Sequence, residues 1–238
     1  MVGIGPGDPL DRTRRAEVAI IGSDVIVGYR QYLALVEDLT AGKEIVDSGM
    51  TQEVERCRVA LRHTAAGKTV ALISSGDPGV YGMAGLALEM AVREDFLTTI
   101  EVIPGVTSAN AAAARLGAPL MLDYATISLS DLLVSWTTIR TRLEAVAAAD
   151  LVVALYNPRS RKRIRQLEEA AEIFRTHRPG TTPVGIATAV GRQDEQLIMS
   201  DLDHFLNEPI GMQSIVIIGN SVSSTARGWF ITSRGYRL

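Results

Sequence analysis

The stretch "TVALISSGDPGVYGMAGLALEMAVR" (69–93) decides the fold. Residues 69–74 are apolar and partly β-branched, which predicts a buried strand. "SSGDPGVYG" (74–82) then interrupts the pattern with Gly76, Gly79 and Gly82 around the rigid Pro78. From Gly82 to Arg93 the apolar residues recur at helical spacing. Strand, glycine-rich loop and helix in that order make half of a parallel βαβ unit.

The same grammar recurs along the chain. "IEVIP" (100–104), "LVVALY" (151–156), "PVGIATAV" (183–190) and "SIVIIGN" (214–220) read as further buried strands, each closed by Gly, Pro or Asn. Helices are expected over Thr107–Leu116, Leu132–Ala149 and Ser160–His177. The fold class is therefore α/β, built from parallel βαβ units. A composition of 47% hydrophobic residues with only 5% aromatic suits Val/Ile-rich strands covered by Ala-rich helices.

At 238 residues the chain exceeds the commonest size of a single domain. "RLGAPLMLDYA" (115–125) offers the break, because Gly117 and Pro119 stop a helix and leave an extended link. This places an N-terminal α/β domain at 1–116, a linker at 117–124 and a C-terminal α/β domain at 125–238. A ligand cleft between them is the natural expectation, fed by loops at strand C-terminal ends.

Several function classes are disfavoured at this level. A net charge of −3 provides no global basic field for nucleic acid. Cys57 is the single cysteine, so no intrachain disulfide forms; its spacing between Val54 and Leu61 at helical period favours a core position over a reactive thiol. His63, His177 and His204 lack ligand spacing, so no protein-bound metal is expected. No signal peptide or transmembrane run is evident, and a cytoplasmic location is expected.

Three loops concentrate polar chemistry after predicted strands: "GIGPGDP" (3–9), "SSGDPGVYG" (74–82) and "PGVTSAN" (104–110). Glycines there permit close backbone approach or positive φ. The first loop lacks the Gly-x-Gly-x-x-Gly spacing of a dinucleotide site, so it is a poor phosphate cradle. Asp77 supplies a carboxylate for hydroxyls or a cation. Thr107 and Ser108 stand at a helix start, where they either cap the helix or meet a ligand carboxylate or ribose.

In order and spacing, "GIGPGDP", "SSGDPGVYG" and "PGVTSANAAAARLGAPL" (104–120) resemble the class III S-adenosylmethionine-dependent methyltransferases that modify tetrapyrroles. "ISLSDLL" (127–133), "ALYNPRSRKR" (154–163), "VGRQDE" (190–195) and "GNS" (219–221) are similar to the branch that methylates precorrin-3B at C17 with contraction of the ring. The resemblance covers nearly the whole chain and implies a homodimeric two-domain enzyme of cobalamin biosynthesis. It implies S-adenosylmethionine contacts from Pro6, Gly76, Asp77, Val80, Tyr81, Thr107 and Ser108, and from Asn157, Thr188, Ala189 and Val190. Gly5, Gly7 and Asp8 would then border the tetrapyrrole, with Asp8 a candidate catalytic group beside Asp77 and Asp123. The cobalt-containing anaerobic substrate and another methyl position on the ring remain alternatives, as does, from a different class, a nucleotide-binding regulatory module without turnover. Met121–Leu122 depart from the Gly-His that the family commonly has before the equivalent of Asp123.

One further cluster stands out. Arg159, Arg161, Lys162, Arg163 and Arg165 crowd what periodicity marks as a helix start, where the macrodipole disfavours cations. Rim carboxylates of a tetrapyrrole would relieve it, with Arg159 and Arg161 as the expected contacts. The competing reading is a solvated face neutralised by Glu168 and Glu169.

Overall fold

The computed structural model describes residues 1–49 and 51–237, which divide into two compact units, Met1–Ser108 and Ala109–Leu238. The 117–124 stretch lies inside the second unit, where Gly117–Ala118 is held in a strand pairing.

The first unit is a four-stranded parallel sheet. Its strands β1 (Val2–Gly3), β2 (Val25–Tyr29), β3 (Glu44–Ser48) and β4 (Val70–Ser74) lie in the order β1-β4-β2-β3. "IEVIP" forms no strand of its own; only Ile103 makes an isolated parallel bridge, to Val2. Helix α1 (Arg14–Ile21) packs on one face with Val2, Ile4, Ile26 and Ile73. Helices α3 (Glu53–Ala65) and α4 (Ala84–Arg93) pack on the other with Val25, Val27 and Leu72, while α2 (Arg30–Leu33) is a single turn after β2. This segregation follows from right-handed crossovers, because chain leaving β1 moves toward β2 whereas chain leaving β3 and β4 moves the opposite way. The reversal falls between β1 and β4. That is the topological switch point of the sheet, the place where open α/β folds bind ligands.

Cys57 lies fully buried on α3. Burial pushes its thiol up to about 11 from an ordinary 9.0. Two results are expected. A maleimide at pH 7.5 labels Cys57 only after denaturation, since the folded thiol is both covered and protonated. And because the unfolded thiol ionises first as pH rises, any stability it contributes declines between about 9 and 11. Labelling of native protein at the unfolded rate would place Cys57 at the surface.

The second unit opens with α5 (Ser108–Leu116), whose first residue falls at the division. Strands β5 (Gly117–Ala118), β6 (Tyr124–Ser128), β7 (Val152–Tyr156), β8 (Pro183–Thr188), β9 (Gln196–Asp201), β10 (Ser214–Ile218), β11 (Ser223–Ala226) and β12 (Trp229–Thr232) follow in sequence. The main sheet has the order β6-β7-β10-β8-β9. Here the expectation of purely parallel pairing is corrected: β6 and β7 are parallel, but β10 runs antiparallel between β7 and β8, and β8–β9 is a hairpin. The hairpin reverses the chain, so the apolar run 214–218 enters the sheet in the opposite sense. Periodicity does not encode direction.

Helices α6 (Trp136–Ala148) and α7 (Arg165–Arg175) cover a core around Leu129, Leu143, Leu155, Phe174 and Phe205. Leu167, Ala170, Ala171 and Phe174 supply the buried stripe of α7 at helical spacing. Both helices start later than the periodicity suggests. Ser135 caps α6 by accepting from Thr138 N–H at 3.3 Å, which leaves Leu132 and Leu133 in a loop. α7 starts at Arg165, so Arg159, Arg161, Lys162 and Arg163 precede the helix, and the expected crowding against its dipole is corrected. Arg165 alone sits in the first turn, paired with Glu169 at 3.0 Å. The small sheet β11-β12-β5 carries the chain end across Gly117, which has φ of +132° and whose Cβ would lie 2.7 Å from the Phe230 carbonyl oxygen. No described helix is long and apolar enough to cross a membrane.

Candidate active site

In the first unit the three loops meet at the switch point. Gly5 and Gly76 exchange backbone hydrogen bonds, Gly5 N–H to Gly76 O at 3.2 Å and Gly76 N–H to Gly5 O at 2.7 Å. Both have positive φ, +74° and +64°. A Cβ on Gly3 would lie 2.7 Å from Gly105 N, and one on Gly105 would meet the Gly76 carbonyl oxygen. The glycines therefore serve first to bring backbone against backbone. Around Gly76 the space is ordinary: a Cβ there would sit 3.7 Å from Thr107 Cα and Ser108 N.

Asp77 organises the same point. Its Oδ1 accepts from Gly79 N–H at 2.8 Å and its Oδ2 from Gly105 N–H at 3.0 Å, tying the second loop to the third. One lone pair on each oxygen remains beyond these bonds. Val80 N–H closes the turn onto Asp77 O at 3.2 Å, and Tyr81 follows with φ of +54°. Asp8 accepts from Leu10 N–H at 2.9 Å and so caps the turn Pro9–Asp11; its side chain is half-buried beside Pro6 and Gly7. Ser108 begins α5. The N–H of Ala109 is taken at 3.0 Å by the phenol of Tyr156, a partner that sequence reasoning did not name.

In the second unit the candidates gather at the edge where β7 and β8 end. Asn157 follows β7 with φ of +50°, and Ala189 follows β8 also at +50°. Non-glycine residues rarely adopt this conformation, and such strain concentrates at functional positions. Three of the seven described cases, Tyr81, Asn157 and Ala189, fall on residues singled out from motifs alone. Asn157 Nδ2 donates to Ser128 Oγ at 3.0 Å, Thr188 Oγ1 meets Ser214 Oγ at 2.7 Å, and Ala189 N–H reaches Gln213 O at 3.0 Å. Glu195 pins the turn after Val190 by accepting from Gly191 N–H at 2.7 Å and pairing with Arg115 at 3.3 Å. Arg161 is exposed, whereas the Nε of Arg159 is buried without a hydrogen-bond partner. Asp123 is exposed ahead of β6.

"GNS" lies at the other end of the sheet. Asn220 and Ser221 bind Asp150, and Gly219 O accepts from Arg178, so these residues stabilise the fold. Among the described residues no group of three or more His, Cys, Asp or Glu is gathered to hold a metal.

The family model described as Tetrapyrrole (Corrin/Porphyrin) Methylases matches residues 1–205. The chain belongs to this family. Among curated relatives, this methyltransferase is 45% identical over its full length to the cobalt-factor III methyltransferase of Priestia megaterium, spanning 45% of that longer protein. It is 43% identical to the probable cobalt-factor III C(17)-methyltransferase of Salmonella typhimurium, covering 100% of this chain and 99% of the relative. Among solved structures the methyltransferase CobJ superposes with a TM-score of 0.89 at 31% identity, over 98% of both chains. The fold is shared with a uroporphyrin-III C-methyltransferase of Thermus thermophilus complexed with S-adenosyl homocysteine, at TM-score 0.68 and 24% identity, over 92% of this methyltransferase and 90% of that chain. The family is S-adenosylmethionine-dependent.

Proposed function

We propose that this methyltransferase transfers a methyl group from S-adenosylmethionine to C17 of a corrin precursor, with ring contraction, in cobalamin biosynthesis. The observation that carries the reading is the meeting of Gly5, Gly76 and Gly105 at the switch point between β1 and β4, with Asp77 knotting the loops. It supports a pre-formed backbone surface at the place where open α/β sheets bind ligands. The relatives named for cobalt-factor III favour the cobalt-containing substrate over metal-free precorrin-3B, with the cobalt belonging to the substrate.

The cofactor, when bound, supplies an electrophilic methyl on its sulfonium. The chain's part is orientation, since displacement at a methyl needs in-line approach more than acid or base assistance. In this reading Pro6, Gly76, Asp77, Val80, Tyr81, Thr107 and Ser108 of the first unit hold S-adenosylmethionine. Asn157, Thr188, Ala189 and Val190 of the second do likewise. The fit is to backbone polar groups and short side chains held in unusual φ, with no metal required. Gly5, Gly7 and Asp8 face the tetrapyrrole. Asp77 is already committed to two backbone N–H groups, which leaves Asp8 and Asp123 as better candidates for proton handling. A homodimer belongs to the same reading, and sedimentation as a 25.6 kDa species would argue against it.

The deciding experiment is incubation of pure protein with S-adenosylmethionine and either cobalt-factor III or precorrin-3B. A product heavier by one methyl group and stoichiometric S-adenosylhomocysteine are expected, with faster turnover of the cobalt form. No S-adenosylhomocysteine from either would leave the regulatory-module reading.

Arg159 and Arg161 are proposed to bind rim carboxylates. Arg159→Glu or Arg161→Glu then weakens tetrapyrrole binding by ~1.5–3 kcal/mol while S-adenosylhomocysteine affinity stays level. Unchanged tetrapyrrole affinity in both variants returns this cluster to a screened, solvated surface.

A further inference from the structure

We propose that Arg163 is a positioning residue for the second unit's cofactor-facing edge, holding Asn157 and, through the 212–213 segment, Ala189. The inference rests on the preceding assignment of Asn157 and Ala189 to S-adenosylmethionine.

The geometry starts from Ser160. Its Oγ accepts from Lys162 N–H at 3.3 Å and Arg163 N–H at 3.0 Å, and its own N–H reaches Arg163 O at 2.9 Å. This tight turn folds the Arg163 side chain back along the loop. Its Nη2 donates to the carbonyl of Asn157 at 2.7 Å and also lies 3.7 Å from Met212 Sδ. Asn157 is thereby gripped twice, at its carbonyl by Arg163 and at its side-chain amide by Ser128. The neighbour of Met212, Gln213, accepts from Ala189 N–H at 3.0 Å. One guanidinium thus braces two residues in the left-handed conformation that follow β7 and β8. These strands flank β10 and stand roughly 10 Å apart.

Such residues persist only when their surroundings over-determine them, and a two-point brace does this. The group is half-buried and its Nε is covered without a hydrogen-bond partner. Burial lowers its pKa from the ordinary arginine value while Asp131 partly offsets this, as befits a cation serving a structural contact inside the loop. Both contacts come from one nitrogen, Nη2, which the rigid planar guanidinium holds in place; a lysine ammonium on its flexible stem fixes the same carbonyl less firmly.

Arg163→Met and Arg163→Lys test this by calorimetry with S-adenosylhomocysteine, absorbance titration with tetrapyrrole, thermal unfolding, and amide hydrogen exchange. The expected result for Arg163→Met is at least a tenfold loss of S-adenosylhomocysteine affinity, with tetrapyrrole affinity and the melting midpoint near wild type. The Ala189 amide exchanges faster, and Arg163→Lys restores part of the affinity. Affinity within twofold of wild type in Arg163→Met overturns the proposal, as does equal loss of both ligands with a lowered midpoint and no rescue by lysine. If wild-type protein binds no S-adenosylhomocysteine, the cofactor assignment fails; unchanged Ala189 exchange in Arg163→Met then overturns the brace on its own.

Discussion

Gly105→Ala is expected to weaken S-adenosylhomocysteine binding by roughly a hundredfold while leaving a folded protein. The added methyl carbon would meet the Gly76 carbonyl oxygen and lie 2.8 Å from the Gly3 carbonyl carbon and 2.9 Å from its oxygen. All three neighbours are backbone, so no side chain can swing aside. The loops must separate by about an ångström, and Asp77 loses its hydrogen bond to Gly105 N–H with them. Displacement on that scale costs roughly a hundredfold in a positioned site, and overpacking of this kind destabilises by about 1–3 kcal/mol. Gly85→Ala is the control. Gly85 lies on α4 with open space where a Cβ would stand, so alanine there gains about 0.4–1 kcal/mol. Calorimetry and urea denaturation on both variants read the two effects separately. Wild-type affinity in Gly105→Ala would show that the glycine cluster does not shape the site.

The second large effect is on stability alone. Arg178 is buried at the end of the second sheet remote from Asn157. Its Nη1 donates to Gly219 O and its Nη2 to Leu151 O at 2.6 Å. Its Nε lies 3.8 Å from Asp150 Oδ1, and the guanidinium stacks 4.7 Å from the Phe174 ring. Burial lowers its pKa and Asp150 opposes the shift, the balance of a desolvated cation kept by its partners. Arg178→Met keeps the stem but strands two carbonyls, while Asp150, partly exposed to solvent and still bound by Ser221, keeps its charge compensated. A loss of about 2–5 kcal/mol is expected, because each buried acceptor left unpaired costs about 1–3 kcal/mol. Urea denaturation should show it as a lower midpoint at unchanged slope. Turnover per folded molecule at low temperature should match wild type, since Leu151 and Asn157 bracket opposite ends of β7. An unfolding free energy within about 0.5 kcal/mol of wild type would mean that water replaces the guanidinium.

Much of this was legible in the chain itself. Short β-branched runs closed by Gly, Pro or Asn located β4, β7, β8 and β10, because a buried strand needs continuous apolar residues and a defined stop. The glycines in 3–9, 74–82 and 104–110 marked the loops, and Asn157 closed the run 151–156. What sequence left open depended on partners distant along the chain. Val25–Tyr29 is as apolar as the strands recognised, yet its place between β4 and β3 exists only once the crossovers are laid down. The helix start at Arg165 was hidden because the Ser160 turn satisfies the preceding backbone locally. The sense of β10 was hidden because a hairpin upstream sets it.

The sequence by itself determined the class of fold, the loops that carry chemistry and the family they resemble, since these depend on local pattern and spacing. Only the tertiary structure decided what those residues touch. Gly3 and Gly105 are distant in sequence, yet neither leaves room for a Cβ on the other; Asp77 spends its carboxylate on the loop across from it, and Arg163 reaches back to Asn157. A hydrogen bond needs two groups at about 3 Å, and no local pattern specifies which distant group arrives.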